Sequence, residues 1–520
     1  MLYPLFFVAV YLSHWTLLRL PYFWDEGGYY IPAALDFFRT GALIPHSTIT
    51  NAHPPLPSML LATWWHLSGF VVSGTRTLVC LTSAAALLAI YRLARRVAGE
   101  VAAGTVTLLT AVYPIWFAQS TLAHADIFAA AFTLWALSFY LAPRTLEDEP
   151  LPSSVLTDAG RTNGFAIAIL FSLAVLSKET AIVTPAALAV YELVMLIARR
   201  SSPSSLRSRW VMIAALSAPI VPLVAWYAFH FERTGFVFGN PEFLRYNATA
   251  NLDPHRFALC LWHRSLHLTA HMNMFVPVLL TAATVLTPAL QGRGRNQLAP
   301  RLLAQIGTIL AANLLAFSVL GGALLTRYLL PMYPLILLVC VVEWRRHLRL
   351  WWAPAILSLA AFTAAIWLNP PYAFAPEDNL AYRDMIELHQ EAVGLLAKQF
   401  PDARVLTAWP ATAELEHPEL GYTRVPIRTS GVPNFSAEEM KQVLTRPATY
   451  DTALLFSTKW EPPSGQADLG RMHEEADERY FDFHHDLRPE EAAVLLHGQI
   501  VWKAQRRGEW VAILRFPGGE

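Results

Sequence analysis

The chain has 520 residues, of which 54% are hydrophobic and only 15% charged, against roughly 25% charged residues in an average soluble domain. Its 39 basic and 39 acidic side chains cancel, so no excess of positive charge is left to bind nucleic acid. Cys80, Cys260 and Cys340 stand far apart, and their spacing makes neither a disulfide framework nor a metal-ligand cluster.

In chain order, the first apolar run, 2–20, lacks the basic start and small-residue cleavage site of a signal peptide and reads as a retained anchor. Further runs long enough to span a bilayer, or nearly so, recur near 76–94, 101–119, 122–142, 164–177, 180–198, 210–231, 274–290, 302–320, 328–344 and 350–368. They predict an α-helical polytopic membrane protein with about eleven transmembrane helices. The run 55–72 is also apolar, but Pro54, Pro55 and Pro57 interrupt its start, and it reads as interfacial or re-entrant.

Orientation follows from Lys and Arg in the short loops. Arg92, Arg95 and Arg96 form one cluster; Arg144 and Arg161 flank another connection. Arg199, Arg200, Arg207 and Arg209 follow, then Arg293, Arg295 and Arg301, and last Arg345, Arg346 and Arg349. With the spans alternating as counted, all five clusters share one side, expected to be the cytoplasmic side of a cytoplasmic (inner) membrane. The opposite face then holds the first loop, 21–75, a second long loop at 232–272, and everything after Asn369. Within the first loop, 31–39 predicts a short helix ended by Gly41, with Pro32 tolerated in its first turn. Leu35, Phe37 and Phe38 would cover the headgroup boundary while Asp36 and Arg39 face water.

Residues 1–368 are therefore expected to form a membrane domain, and 369–520 an extracytoplasmic soluble α/β domain. In the latter, 377–400 is amphipathic and helical, 404–408 and 453–457 read as strands, and 436–444 reads as a helix capped by Ser436. Segments 499–504 and 510–516 alternate around a turn at 505–508, the pattern of a hairpin. No catalytic motif stands out there.

The candidate chemistry lies in the apolar part. Pro21 to Tyr30 reads P-Y-F-W-D-E-G-G-Y-Y, placing Asp25 and Glu26 where the first helix leaves the bilayer. An acidic pair can simply end a span. A carboxylate partly desolvated by Trp24, Tyr29 and Tyr30 can equally serve as a general base, and Gly27 and Gly28 would let main chain approach a substrate. In N-A-H-P-P-L-P, Pro54 and Pro55 hold His53 stiffly at the interface. Asp126, in A-H-A-D-I-F, enters a span two residues after His124; an ionisable group there needs a cavity or a partner. Lys178 and Glu179, in L-S-K-E-T, join two short runs. Arg327 and Tyr328 open T-R-Y-L-L-P-M-Y-P, where the guanidinium can snorkel to the interface or grip a lipid phosphate in two-point fashion. By the span count all these residues share one membrane face, and carboxylates beside cations suit transfer from a lipid phosphate.

On W-D-E-G-G-Y-Y after the first span, H-P-P-L in the same loop, H-A-D-I-F, L-S-K-E-T and R-Y-L-L-P-M-Y-P, the chain resembles the GT-C integral membrane glycosyltransferases. It looks most like the branch of protein O-mannosyltransferases and lipid A aminoarabinose transferases. The resemblance covers roughly residues 1–370. It implies a polyprenyl-phosphate sugar donor, an external active site, and inverting transfer to an acceptor hydroxyl of a lipid, glycan or protein. Asp25 matches the catalytic acidic residue of the first loop, and Glu26 the second acidic residue common in mannosyltransferases. His53 matches their motif histidine, where aminoarabinose transferases tend to carry Lys. Asp126, Lys178, Glu179, Arg327 and Tyr328 would serve donor binding. Carboxylates near a donor phosphate can hold a divalent cation, although no ligand spacing demands one. A lipid or sugar transporter, or flippase, is the alternative from another class; its charges would sit near the bilayer midplane.

Overall fold

The computed structural model describes residues 2–48, 50–141, 153–198, 203–241, 253–290, 297–320, 324–445, 449–462, 469, 474–481 and 483–516. Arg144, Arg199, Arg200, Arg293 and Arg295, and the side chain of Arg161, lie outside the described residues.

The apolar runs become helices, with breaks where local chemistry demands them. The first run is helical over Leu2–Ser13 and then tightens into a short 3₁₀ turn at Trp15–Leu17. The run at 101–119 is two helices, Glu100–Val112 and Pro114–Gln119; Pro114 has no N–H to continue the first and suits the opening turn of the second. Val72–Ala98 is longer than expected at both ends, and Gly99, at φ 84, makes a one-residue turn into the next helix. Among the described residues four helices are long and apolar enough to cross a membrane, and five shorter ones are apolar. Segment 55–72, expected to be interfacial or re-entrant, contains Leu56–Ser68, ended by Gly69.

The expected loop at 232–272 holds a further helix, Pro254–Thr269. Its start was readable, since the Asp253 side chain accepts from the His255 and Arg256 main-chain N–H groups, and Pro254 occupies the first helical position. A bend of 98° then leads into Phe275–Val285, through Met272 and Asn273 at φ 47 and 64. The first-loop helix is Ile31–Thr40, ended as predicted by Gly41 in the left-handed conformation.

The two ends of the helical body differ in chemistry. At one, Arg345 donates to the Ala98 carbonyl at 2.7 Å and Arg96 to that of Ser138 at 3.2 Å. There too the buried Glu192 carboxylate accepts from Arg209, Arg301 and the Tyr140 hydroxyl at 2.7, 3.0 and 2.9 Å. The basic clusters that are described thus gather together. At the other end lie Asp25, Asp126, Lys178 and Arg327.

Beyond Asn369 come Ala381–Gln399 and a five-stranded sheet: β1 (Arg404–Ala408), β2 (Arg428–Val432), β3 (Thr452–Phe456), β4 (Gln499–Arg506) and β5 (Glu509–Arg515). Its order is β2-β1-β3-β5-β4, with β1 parallel to both neighbours and β5 antiparallel to β3 and β4. Strand β2, R-T-S-G-V, was not foreseen because it has almost no apolar alternation to reveal it. The hairpin turn is tighter than predicted: Arg507 and Gly508 alone, at φ 45 and 104, the left-handed pair that matches strand twist. Ser436 caps Ala437–Val443 as expected.

Candidate active site

The 21–30 segment divides its two acids. Trp24 takes a left-handed φ of 46, a strained value for a bulky residue and one that clusters at functional sites. A π-turn over Glu26–Tyr30 follows, a feature also common at such sites. The result sends Glu26 inward and Asp25 outward. Glu26 is wholly buried against Arg76, with one contact at 2.9 Å, and accepts from the Phe23 and Ala123 N–H groups at 2.8 and 2.6 Å. Arg76 in turn donates to the Thr121 and Pro21 carbonyls. Placed this way, Glu26 fixes the loop and does not face an opening. Gly27 and Gly28, expected to leave room for substrate, instead receive Leu420 and Trp409; a Cβ at Gly28 would lie 2.7 Å from the Trp409 ring. Tyr22 N–H donates to the Leu420 carbonyl, so the segment after β1 is fastened onto this loop.

Arg327 is the hub. Its guanidinium contacts Asp25 and Glu377 and lies 3.3 Å from Asp126. Lys178 reaches the other oxygen of Asp126 at 2.6 Å and sits 3.7 Å from the Tyr328 ring centroid. The Asp126, Lys178 and Arg327 side chains are buried, whereas that of Asp25 is 33% exposed. Four chain regions thus converge as the sequence suggested, and Asp25 alone among the three carboxylates opens outward. The carboxylate beside a cation that the sequence suggested is here a direct contact of Asp25 with Arg327.

Glu377 was missed, being the first acidic residue after the last apolar helix, Trp352–Trp367, where the composition turns polar. Asn379 and Leu380 donate to the Ala365 and Ile366 carbonyls at 3.3 Å, doubling the chain back so that Glu377 re-enters the charged cluster. Burial pushes its carboxyl up to about 8; Arg327 opposes the shift, and Asp25, Asp378 and Asp126 add to it. Asp378, beside it, accepts from Thr326 and pairs with His271 at 2.9 Å.

His53 and Glu179 form a second pair, at 3.0 Å. The ring of Tyr30 stacks on His53 and also neighbours His124, and Lys178 precedes Glu179 in sequence. A small hollow lies beside the hub, lined by Asp126, Lys178, Arg327 and Tyr328, by the polar Thr133, Thr180, Thr184 and Asn313, and by apolar residues that include Ala129, Ala130, Phe317 and Met332. Among the described residues no group of three or more His, Cys, Asp or Glu is arranged to hold a metal ion; the acidic groups are drawn around Arg327.

In chemical terms this is a cradle of acidic side chains around one guanidinium, with an open carboxylate at its lip. The fold is similar to that of ArnT from Cupriavidus metallidurans bound to undecaprenyl phosphate. That match has a TM-score of 0.54 at 16% identity and covers 98% of this chain and 97% of that one. The Archaeoglobus fulgidus oligosaccharyltransferase also matches, at a TM-score of 0.46, 12% identity and 88% and 68% coverage. The arabinofuranosyltransferase AftD from Mycobacteria gives 0.44, 13%, and 98% and 39%. No curated protein matches in sequence. Residues 37–409, however, match the description Alg9-like mannosyltransferase family. The chain therefore belongs to the Alg9-like mannosyltransferase family and is a glycosyltransferase of the GT-C class of membrane enzymes.

Proposed function

We propose that the protein moves a sugar from a polyprenyl-phosphate donor to an acceptor hydroxyl, with inversion, at the outer face of a cytoplasmic membrane. In this reading residues 1–368 span the membrane with the arginine-rich end inside, and 369–520 lie outside. The observation that carries the reading is the triple hold of Asp25, Asp126 and Glu377 on Arg327, beside Lys178 and a pocket with an apolar side. A lipid phosphate is the anion that suits such a cradle, with its chain against the apolar lining. The solved ArnT structure with undecaprenyl phosphate supports that class of donor.

Charge dictates the order of events. A sugar phosphodiester carries one negative charge and leaves as a monoester with two. The departing oxygen therefore needs cations more than a proton, which Arg327 and Lys178 supply. As the phosphate takes over Arg327, Asp25 loses its partner and becomes free to act. It accepts the acceptor's hydroxyl proton while that oxygen bonds the anomeric carbon from the face opposite the phosphate. The bond from that carbon to the phosphate oxygen breaks, and the phosphate keeps the electron pair. His53 and Glu179, set apart from the hub, are assigned to holding the sugar.

The test is Asp25→Asn in purified protein supplied with polyprenyl-phosphate mannose. The amide cannot take the proton, and transfer should fall by at least about 10²-fold, the scale of general-base catalysis, with folding intact by thermal melt. Near-normal transfer would remove Asp25 as the base. Movement of the whole lipid between leaflets without sugar release would favour a flippase instead.

A further inference from the structure

Trp226 lies on the helix Ile220–Thr234, in an apolar run that reads in the sequence only as a span. It is 7% exposed, so its indole N–H must find an acceptor inside the protein. That acceptor is the Ala52 carbonyl, at 2.9 Å. Ala52 precedes His53 and has a left-handed φ of 56, a conformation costly to any residue with a Cβ. On the other side of the same peptide unit, the His53 N–H donates to the Asn51 side-chain oxygen at 3.0 Å. The peptide plane that leads into His53 is therefore bonded at both its polar groups, and Pro54 stiffens the chain just after it. Thr50 and Asn51 are held as well. The Thr50 carbonyl accepts from the Asn240 N–H at 3.0 Å. Gly239, at φ 89, lies so close that a Cβ there would be 2.9 Å from the Asn51 carbonyl carbon.

A buried indole N–H in need of a partner is served equally well by any carbonyl. This one takes the carbonyl of the strained residue next to His53. The His53 ring pairs with Glu179 at 3.0 Å and stacks on Tyr30, with centroids 6.1 Å apart; both contacts depend on where its main chain stands. We infer that Trp226 is a positioning residue for His53. It acts through the Ala52 carbonyl, without touching substrate, and sets how tightly the His53–Glu179 pair grips the sugar of the donor. The inference rests on the transferase reading, in which that pair holds the sugar, and adds to it a residue from a helix outside the charged cluster.

The test measures equilibrium binding of two probes to the full chain in detergent: polyprenyl-phosphate mannose, and polyprenyl phosphate without a sugar. Trp226→Phe removes the N–H and keeps an aromatic ring. It should weaken binding of the mannosyl lipid about tenfold, the scale of one buried carbonyl left without a donor, and leave binding of the bare phosphate lipid unchanged. Equal weakening of both lipids by a folded variant, or of neither, overturns the proposal, since a residue that only supports the fold does not tell them apart. Asn51→Ala frees the other side of the same peptide unit and covers the case of a Trp226→Phe protein that does not fold. It should show the same difference between the lipids, and wild-type binding of both would overturn the proposal. In a double-mutant cycle, adding Trp226→Phe to His53→Ala should weaken mannosyl-lipid binding no further, and additive losses would overturn it. Should His53→Ala alone leave that binding unchanged, the proposal falls together with the assignment of His53 to the sugar. The transferase reading is judged apart from all of these, by sugar transfer in the Asp25→Asn comparison.

Discussion

Asp25 and Glu26 are neighbours in the chain and part company at once, one toward the opening and the other into the body. The divergence makes Glu26 a structural anchor: its carboxylate and the Arg76 guanidinium are both buried and answer each other. Removing one member of such a pair leaves a buried charge unmatched and typically costs about 3–5 kcal/mol. Glu26→Ala should therefore lower the thermal unfolding midpoint clearly in detergent, and activity with it, while Glu26→Gln, which keeps part of the hydrogen bonding, should lose less. An unchanged melt would mean the pair is dispensable. The convergence of Asp25, Asp126, Lys178 and Arg327 was legible in the sequence because a charge entering hydrocarbon must find a partner. The inward turn of Glu26 was not, since it depends on the left-handed backbone of Trp24, which adjacency of two acids does not reveal. Arg76, its partner, was read only as the edge of an apolar run.

The element that closes the site is the short 3₁₀ turn Pro376–Asp378, held against the end of Trp352–Trp367 by Asn379 and Leu380. With its carboxyl raised to about 8 from an ordinary 4.5, Glu377 keeps its proton at neutral pH. It thereby favours the folded state most below the ordinary value, and that contribution is lost as pH climbs through about 8. Once ionised, it competes harder with phosphate for Arg327. Donor kcat/KM should therefore decline on the alkaline side. Glu377→Gln, with no proton to lose, should flatten that limb and stay near wild type at neutral pH. A pH–rate profile of both proteins decides it, and an identical alkaline limb in the two would detach Glu377 from donor handling. Nothing in P-E-D-N announced this role, because only the reversal of the chain after the last helix brings it under the cluster.

At the scale of the molecule, residues from both ends of the chain make one site. The helical body supplies Arg327, Lys178 and Asp126, the first loop Asp25, and the segment beyond Asn369 Glu377. A chain ending at Asn369 should still enter the membrane fraction but transfer no more sugar than the Asp25→Asn protein; substantial transfer by the truncated chain would show that the remainder is an accessory. The helical architecture was readable from apolar runs alone. The site wall built by the C-terminal part was not, since its contacts with the first loop join residues nearly four hundred positions apart. The crowding of Asp25, Asp126 and Glu377 upon one guanidinium also bears on the exit step. In the proposed reaction an arriving carrier must oust a resident anion, Asp25, that stays tethered nearby, waiting to return. In that reaction the spent carrier, heavier by one negative charge, then competes for the guanidinium with Asp126, and with Asp25 once it has released the proton. In that reading the cradle resets without drawing a salt ion out of solution.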